Sequence, residues 1–370
     1  MDPIGIFLAC PPGLEPVLCA EAREAGFADP RAVPGGVEIG GGWPDVWRAN
    51  LVLRGAGRVL ARIAAFRAMH PAQLDKRARK VDWAALVPPD LTVSVEATCR
   101  KSRIYHAGAA ADRVGRALCE ATGAKRVKSD AALRVMVRID DDLCTISLDT
   151  SGAPLHQRGH KVAVGKAPLR ETLAALFLRQ MGYDGLQTVA DPMCGSGTIP
   201  IEAAEIAAGF HPGRDRGFAF CHLKGFDPEH WDMLRAAGAD PAHPLPRHFG
   251  ADRDAGAVAR AKDNAERSGV LDQIGFACQP VSDFAPPPRP AGIVLVNPPY
   301  GARIGNRKLL FGLYGALGGV LKERFAGWRV GIITSDDGLA KASGLPFLSP
   351  GPPVAHGGLR VKLWRTDRLP

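Results

Sequence analysis

The sequence predicts a two-part α/β protein, with a mixed α/β region of short elements over the first 165 residues and a doubly wound parallel sheet from residue 168. Three observations carry that prediction. The first part mixes short strand and helix candidates, Leu91 to Ala97 among them alternating apolar and polar residues, whereas the second has apolar strands, as strands buried on both faces must be. In the second part these strands alternate with helical patterns, the arrangement that crossover connections produce. Between the two, Leu155 to Ala167 has no periodicity, contains Gly159 and Gly165, and reads as a linker.

Taken in order, Ile4 to Ala9 is an apolar strand candidate, stopped by Pro11-Pro12-Gly13 and followed by a helix from Leu14 to Ala25 that ends at Gly26. Val33 to Ile39 and Arg58 to Phe66 are further strands, with a helix around Pro44 to Leu53 between them. Leu91 to Ala97 alternates as a strand, and Val114, Ala117, Leu118 and Ala121 carry helical spacing. Leu133 to Ile139 and Leu143 to Leu148 flank Asp140-Asp141-Asp142 and form a hairpin. Leu169 to Met181 is an amphipathic helix. The parallel-sheet strands are Gln187 to Ala190, His248 to Ala251, Ile274 to Cys278, Gly292 to Val296 and Arg329 to Thr334, with Leu359 to Trp364 as an antiparallel edge strand.

A chain of 370 residues has room for two domains and a sizeable core, so disulfides and metals are not needed for stability. The eight cysteines include no C-x-x-C pair and no Cys/His group at ligand spacing, and no metal is expected; His243 and His248 lack a matching ligand set. With no N-terminal signal-like segment, this points to the reducing cytoplasm. No apolar run approaches the length of a membrane span. The net charge of +9 is spread over both halves, which suits a folded surface facing a polyanion rather than a basic tail.

Three segments carry chemistry. V-A-D-P-M-C-G-S-G-T-I-P-I-E-A-A (189–204) ends a strand at Asp191, turns through Gly195 and Gly197, and starts a helix near Thr198. Glycines there allow positive φ and close backbone approach of a ligand at the carboxyl end of the sheet. No lysine follows, so it is not a nucleotide-triphosphate loop. On the next strand, Asp252 stands where a carboxylate accepts from ribose hydroxyls, unless it merely caps a helix. Asp283 is either an acceptor for an adenine amino group or an ordinary loop aspartate. The third segment, Asn297-Pro298-Pro299-Tyr300-Gly301, follows the buried run Ile293 to Val296. Its prolines stiffen the backbone, leaving the Asn297 side-chain carbonyl and the Pro298 carbonyl as acceptors for an exocyclic amine while Tyr300 offers a flat face.

With these residues the sequence resembles the bacterial class I, S-adenosylmethionine-dependent methyltransferases that make N2-methylguanine in large-subunit ribosomal RNA. D-P-M-C-G-S-G-T and N-P-P-Y-G are the sharpest parts, joined by A-P-L-R-E-T-L-A-A (167–175) and the THUMP-like R-I-Y-H-A-G (103–108). The resemblance implies a ferredoxin-like region at 1–66, parts of which pack with the next, a THUMP RNA-binding domain at 67–155, a linker at 156–167, and a Rossmann-like methyltransferase domain at 168–370. It implies that Asp191, Gly195 and Gly197 lie on the methionine and backbone side of the cofactor, with Pro192, Cys194, Thr198, Glu171 and Arg253 also among the cofactor-binding residues. Asp252 would lie by the ribose, Asp283 by the adenine, and Asn297, Pro298, Pro299 and Tyr300 by the target base. The Asn-Pro-Pro-Tyr motif is shared with enzymes acting on adenine, cytosine and glutamine amino groups, so it reports an amino nitrogen, and only the THUMP-like half points to RNA. Cys194 is not expected to be a nucleophile, because a carbon-directed enzyme needs its thiol beside the target base.

Arg100, Lys101 and Arg103, with Lys125, Arg126 and Lys128, are candidate phosphate contacts, and Arg67, Lys76, Arg77, Arg79 and Lys80 form a second basic group. Either group is otherwise a solvated face. Tyr105 and His106 either stack on bases or pack the start of a helix. Beyond the base-gripping motif, Arg303 is placed for target phosphates. A long connection at 209–247, carrying Phe218, Phe220 and Trp231, is either a substrate-shaping rim or a small local core. The expected RNA is 23S ribosomal RNA or a ribosomal precursor. Transfer RNA is the alternative substrate, and a non-catalytic RNA-binding or assembly factor is the alternative class. No obligate protein partner is indicated. The stretch after the last strand is too short for a second methyltransferase domain, so a fused two-activity form is not expected.

Overall fold

The computed structural model describes residues 4–161, 169–238, 247–301 and 307–370. In chain order the elements are β1 (Gly5–Ala9), α1 (Glu15–Glu24), β2 (Ala28–Val33), β3 (Gly36–Gly40), α2 (Trp43–Val52), β4 (Arg58–Arg67), α3 (Pro71–Ala78), α4 (Trp83–Leu86), β5 (Thr92–Arg100), α5 (Ala107–Thr122), β6 (Lys125–Arg126), β7 (Leu133–Asp140) and β8 (Leu143–Asp149). They continue with α6 (Glu171–Gln180), β9 (Val189–Asp191), α7 (Thr198–Ala207), α8 (Pro228–Ala236), β10 (His248–Asp252), α9 (Ala255–Arg267), β11 (Ile274–Cys278), β12 (Ile293–Val296), α10 (Arg307–Arg324), β13 (Arg329–Thr334), α11 (Asp337–Ala342), β14 (Val354–His356) and β15 (Leu359–Arg368). Unit 1 comprises Met1–Cys10, Cys19–Leu155 and Arg216–Ala237, and unit 2 comprises Pro11–Leu18, His156–Asp215 and Gly238–Pro370. No described helix is long and apolar enough to cross a membrane.

Unit 1 is built on one eight-stranded sheet, in the order β2-β3-β1-β4-β8-β7-β5-β6. β4 is the seam: Ala61 opposes Ile6 of β1 on one side and Leu148 of β8 on the other, both antiparallel. The segments expected as ferredoxin-like and THUMP therefore share a continuous sheet. In β7, Leu133, Val135, Val137 and Ile139 are buried and the residues between them are more exposed. Asp141 and Asp142 turn the chain into β8 with φ of 52° and 59°, a left-handed pair that aspartate tolerates better than most residues. One expectation is corrected here. Val33 to Ile39 is not a single strand, because Pro34-Gly35, with Gly35 at φ +85°, breaks it into the β2–β3 hairpin.

The long connection after α7 supplies part of unit 1. Its described residues 216–237 carry Phe218, stacked on Phe220 at 5.1 Å, and Trp231, edge-on to Phe218 and Phe220 at 5.6 and 5.1 Å. These rings meet Trp47 of α2, which lies 6.3 Å from Phe220 and 5.5 Å from Phe226. The Arg216 guanidinium donates to the carbonyls of Ser151, Ala153 and Pro154 at 3.1, 2.6 and 2.8 Å, and Phe220 N–H donates to Thr150 at 3.1 Å. The aromatic residues thus complete the core beneath α2.

Unit 2 holds a seven-stranded sheet, ordered β11-β10-β9-β12-β13-β15-β14. The strands β9 to β13 are parallel, and the chain moves outward from β9 through β10 to β11, then restarts on the other side with β12. The gap between the carboxyl ends of β9 and β12 is the switch point at which open α/β sheets bind ligands. All four side chains of β12 are fully buried, which stabilises this centre by about 1.5–3 kcal/mol per residue. β15 runs antiparallel to β13, with Trp364 opposite Ile332, yet it is not the edge strand expected. Gly357 and Gly358, at φ +56° and +84°, return the chain so that β14 pairs outside it. Replacing Trp231 by alanine should destabilise unit 1 by about 3–5 kcal/mol, seen as a lower urea midpoint for its unfolding; an unchanged midpoint would contradict the packing described.

Candidate functional site

β9 ends at Asp191, and the turn after it is tied to the end of β10. Cys194 N–H donates to the Ala251 carbonyl at 2.8 Å and Gly195 N–H to Asp252 Oδ2 at 3.0 Å. Asn264, fully buried on α9, donates from Nδ2 to the Ser196 carbonyl at 3.1 Å. Gly195 and Gly197 have φ of +54° and +84°, for different reasons. A Cβ at Gly195 would meet nothing within 4 Å, so its backbone borders open space. At Gly197 a Cβ would lie 3.0 Å from Ile201 Cδ1 and 3.1 Å from Ala261 Cβ, so glycine there lets α7 and α9 approach.

The turn is lined by carboxylates. Asp191 is 2% exposed and its Oδ1 accepts from Met193 N–H at 3.0 Å. Burial pushes its carboxyl up to about 8, against the Met193 hydrogen bond and with help from the Asp252 charge. Asp252 is half-buried, and its Oδ1 also accepts from Asp254 N–H at 3.0 Å. Burial, reinforced by Asp191 and Asp252, raises the Cys194 thiol well above its ordinary value, so it is protonated and inert. Pro192 is buried beneath the turn, while Arg253 is exposed and presents its carbonyl to the Cys278 thiol at 3.8 Å. Asp283 is exposed on a short helical turn, where Oδ1 accepts from the Ser282 hydroxyl at 3.0 Å.

Glu171 and Thr198 come together through a residue that sequence reasoning missed. Lys161 Nζ lies 2.9 Å from Glu171 Oε1 and donates to Thr198 Oγ1 at 2.6 Å. The stretch before it, expected as linker, is anchored to α7: Arg158 pairs with Glu202 at 3.2 Å, both side chains almost fully buried. Two other contributors were missed. Gly250 in β10 has no room for a Cβ, which would fall 2.8 Å from the Phe276 ring and 3.1 Å from Cys194 Sγ. Asn264 carried a readable signal, being polar at a position where Ala257, Ala261 and Ala265 mark the buried face.

β12 runs into Asn297, whose Oδ1 is buried and has no hydrogen-bond partner among the described residues. Pro298 is buried, while Pro299 and Tyr300 are half-buried. Tyr300 packs against the core cluster that includes Val296 and Tyr314, and burial pushes its phenol up to about 12, so the ring is neutral. Since Val189 opposes Ile293 and Ala190 opposes Val294, Asp191 and Asn297 close neighbouring strands at the same end of the sheet. The glycine turn, the strand-end carboxylate and the unpartnered amide oxygen therefore share the switch point.

The basic residues separate into groups. Arg100, Lys101 and Arg103 are exposed at the end of β5, while Lys125 and Arg126 form β6 beside Thr92 and Val93 at its start, about 26 Å away along the strand. Arg126 is engaged by Asp112 at 2.7 Å, and Lys128 is exposed. Arg79 is held by Asp75 and Glu120. Arg303 lies outside the described residues, as does His243. Among the described residues no group of three or more His, Cys, Asp or Glu could hold a metal ion.

Comparison with known proteins finds matches over three successive segments of the chain. Residues 5–60 match the RlmL ferredoxin-like domain, 71–149 the THUMP domain, and 158–346 the RMKL-like methyltransferase domain. A ribosomal RNA large subunit methyltransferase K/L from Methylococcus capsulatus is 34% identical over 92% of this chain and 48% of its own length. The chain thus spans about half the length of the K/L relatives it matches. A putative RNA methyltransferase from Synechocystis is 31% identical over 96% of this chain and 94% of its own. The crystal structure of a possible methylase from Clostridium difficile superposes with a TM-score of 0.89 at 27% identity, over 100% of this chain and 99% of that one. The chain belongs to the RMKL-like methyltransferase family, with an RlmL ferredoxin-like domain and a THUMP domain ahead of its methyltransferase domain.

Proposed function

We propose that this chain transfers a methyl group from S-adenosylmethionine to the exocyclic N2 amine of a guanine in 23S ribosomal RNA. The observation that carries the reading is the buried, unpartnered Oδ1 of Asn297 beside the glycine turn. An orphaned buried acceptor costs about 1–3 kcal/mol, and an amino N–H donated to it removes that cost. The THUMP domain and the K/L relatives, named as large-subunit ribosomal RNA methyltransferases, support RNA and ribosomal RNA as the substrate.

The residues fit the cofactor. Gly195 leaves open space over its backbone, Asp252 ends the neighbouring strand as an acceptor for ribose hydroxyls, and the exposed Asp283 carboxylate suits an adenine amino group. Asp191, Pro192, Cys194, Gly197 and Thr198 shape the methionine end with Glu171, and Arg253 borders the ribose side. When bound, the cofactor supplies an electrophilic methyl group on a sulfonium sulfur. The amine of a nucleobase is a poor nucleophile because its lone pair is delocalised into the ring. Asn297 Oδ1 and the Pro298 carbonyl accept its N–H bonds and turn the lone pair out of the ring plane, while Pro299 stiffens the segment and Tyr300 stacks on the base as a neutral ring. Orientation and electrostatic fit supply the acceleration, with no covalent enzyme intermediate.

Methyl transfer to separately purified, unmodified ribosomal RNA, transfer RNA and DNA, followed by nucleoside mass analysis, tests the reading. N2-methylguanosine in large-subunit ribosomal RNA is expected; its appearance only in transfer RNA would replace the substrate, and no product in any pool would refute the activity. Asn297→Ala should lower kcat about 100- to 1000-fold while S-adenosylhomocysteine affinity, measured by calorimetry, stays within about threefold. Asp252→Ala should show the opposite pattern, with affinity about 10- to 100-fold weaker. The raised Asp191 carboxyl keeps a proton in the folded state that the unfolded chain releases near pH 4, so stability falls as pH rises from there to about 8. The melting temperature of Asp191→Asn should therefore gain on the wild type across that window and level off above it.

A further inference from the structure

We propose that the loop after β5 is a rigid stacking platform for an unpaired RNA base, with Tyr105 as its ring; this rests on RNA being the substrate. Tyr105 is 78% exposed, the most exposed large apolar side chain among the described residues. It does not pack the start of α5. The exposed ring of His106 lies 5.3 Å from it at 40°, and one further apolar side chain comes to the same loop. Met69, 36% exposed, accepts from the Arg103 guanidinium through Sδ at 3.5 Å.

The loop is held by its neighbours. Arg103 N–H donates to Asp142 Oδ1 at 2.8 Å, Asp142 N–H to Ser102 Oγ at 3.1 Å, and Asp141 N–H to the Arg100 carbonyl at 3.2 Å. Ala68 N–H donates to the Asp142 carbonyl at 2.9 Å, which brings the end of β4 into the same assembly. Lys101, Asp141 and Asp142 all have positive φ, a backbone fixed by mutual support. A ring presented by such a loop loses little entropy when a base stacks on it.

Charge identifies the occupant. Asp140 is taken up by Arg138 at 2.8 Å, Asp141 lies 3.8 Å from Arg67, and Asp142 serves the Arg103 backbone. Arg100, Lys101 and Arg103 make no ion pair among the described residues, leaving three cations beside an exposed aromatic ring. That combination suits a polyanion with flat bases, and the bases must be unpaired, because within a duplex their faces are already covered.

The test measures binding of the full chain to a labelled RNA of about 12 nucleotides, single-stranded or annealed to its complement, by fluorescence anisotropy over a range of salt. Tyr105→Ala should weaken single-strand binding about 5- to 100-fold, with Tyr105→Phe restoring it, duplex binding unchanged and the salt slope unaltered. Arg103→Ala should reduce the salt slope by about one on both RNAs. Equal losses for alanine and phenylalanine, equal losses on duplex, or no loss for alanine would each overturn the platform while RNA binding stands. A wild-type chain that binds neither RNA at low salt would overturn the RNA reading itself.

Discussion

Two hydrogen bonds hold the loop on which the methyltransferase site depends: Cys194 N–H to the Ala251 carbonyl and Gly195 N–H to Asp252 Oδ2. Both leave the turn after β9 and end on β10, so the turn cannot move without the neighbouring strand. β10 is itself paired on both sides, with β9 and β11, and Asn264 grips the turn from α9. The same Asp252 carboxylate that fixes the turn ends β10 beside the switch point, so the cofactor role proposed for it would be tied to the geometry of the loop. Gly250 belongs to this arrangement because the space a side chain would take is filled by Phe276 and Cys194.

The site concentrates unfavourable terms in a well-supported place. A carboxyl buried beside another carboxylate and an amide oxygen without a donor both lower stability. They sit at the carboxyl end of a sheet whose central strand β12 is wholly buried, while at the opposite end, just before β13, Trp328 packs edge-on to Phe325, which stacks on Phe284. The cost of these groups must be offset by burial elsewhere, and the core around β12 is where that burial is found.

Much of this was legible in the residues. Ile274–Cys278 and Arg329–Thr334 are strands with the boundaries expected, because short apolar runs bounded by turn residues leave few alternatives. The Asp-Pro-Met-Cys-Gly-Ser-Gly-Thr and Asn-Pro-Pro-Tyr segments lie at the carboxyl ends of adjacent strands, as their positions after apolar runs required. Pro34-Gly35 and Gly357-Gly358 were local turn signals that the surrounding apolar residues masked. Lys161 left no trace, since its own segment has no period and its partner Thr198 lies 37 residues on. The aromatic residues of 216–237 announced a core but not whose core, because the pairing with Trp47 spans more than 170 residues.

That last pairing governs the order in which the chain can fold as it is made. Unit 1 needs residues 216–237, yet the ribosome delivers them only after residues 156–215, which belong to unit 2. At synthesis rates of about 5–20 residues per second, the Trp47 face stays uncovered for several seconds after the rest of unit 1 has emerged. During that interval the nascent chain exposes the apolar surface that chaperones recognise. The amino-terminal half therefore does not mature as an independent bead on a string: its completion waits on the chain that begins the methyltransferase domain.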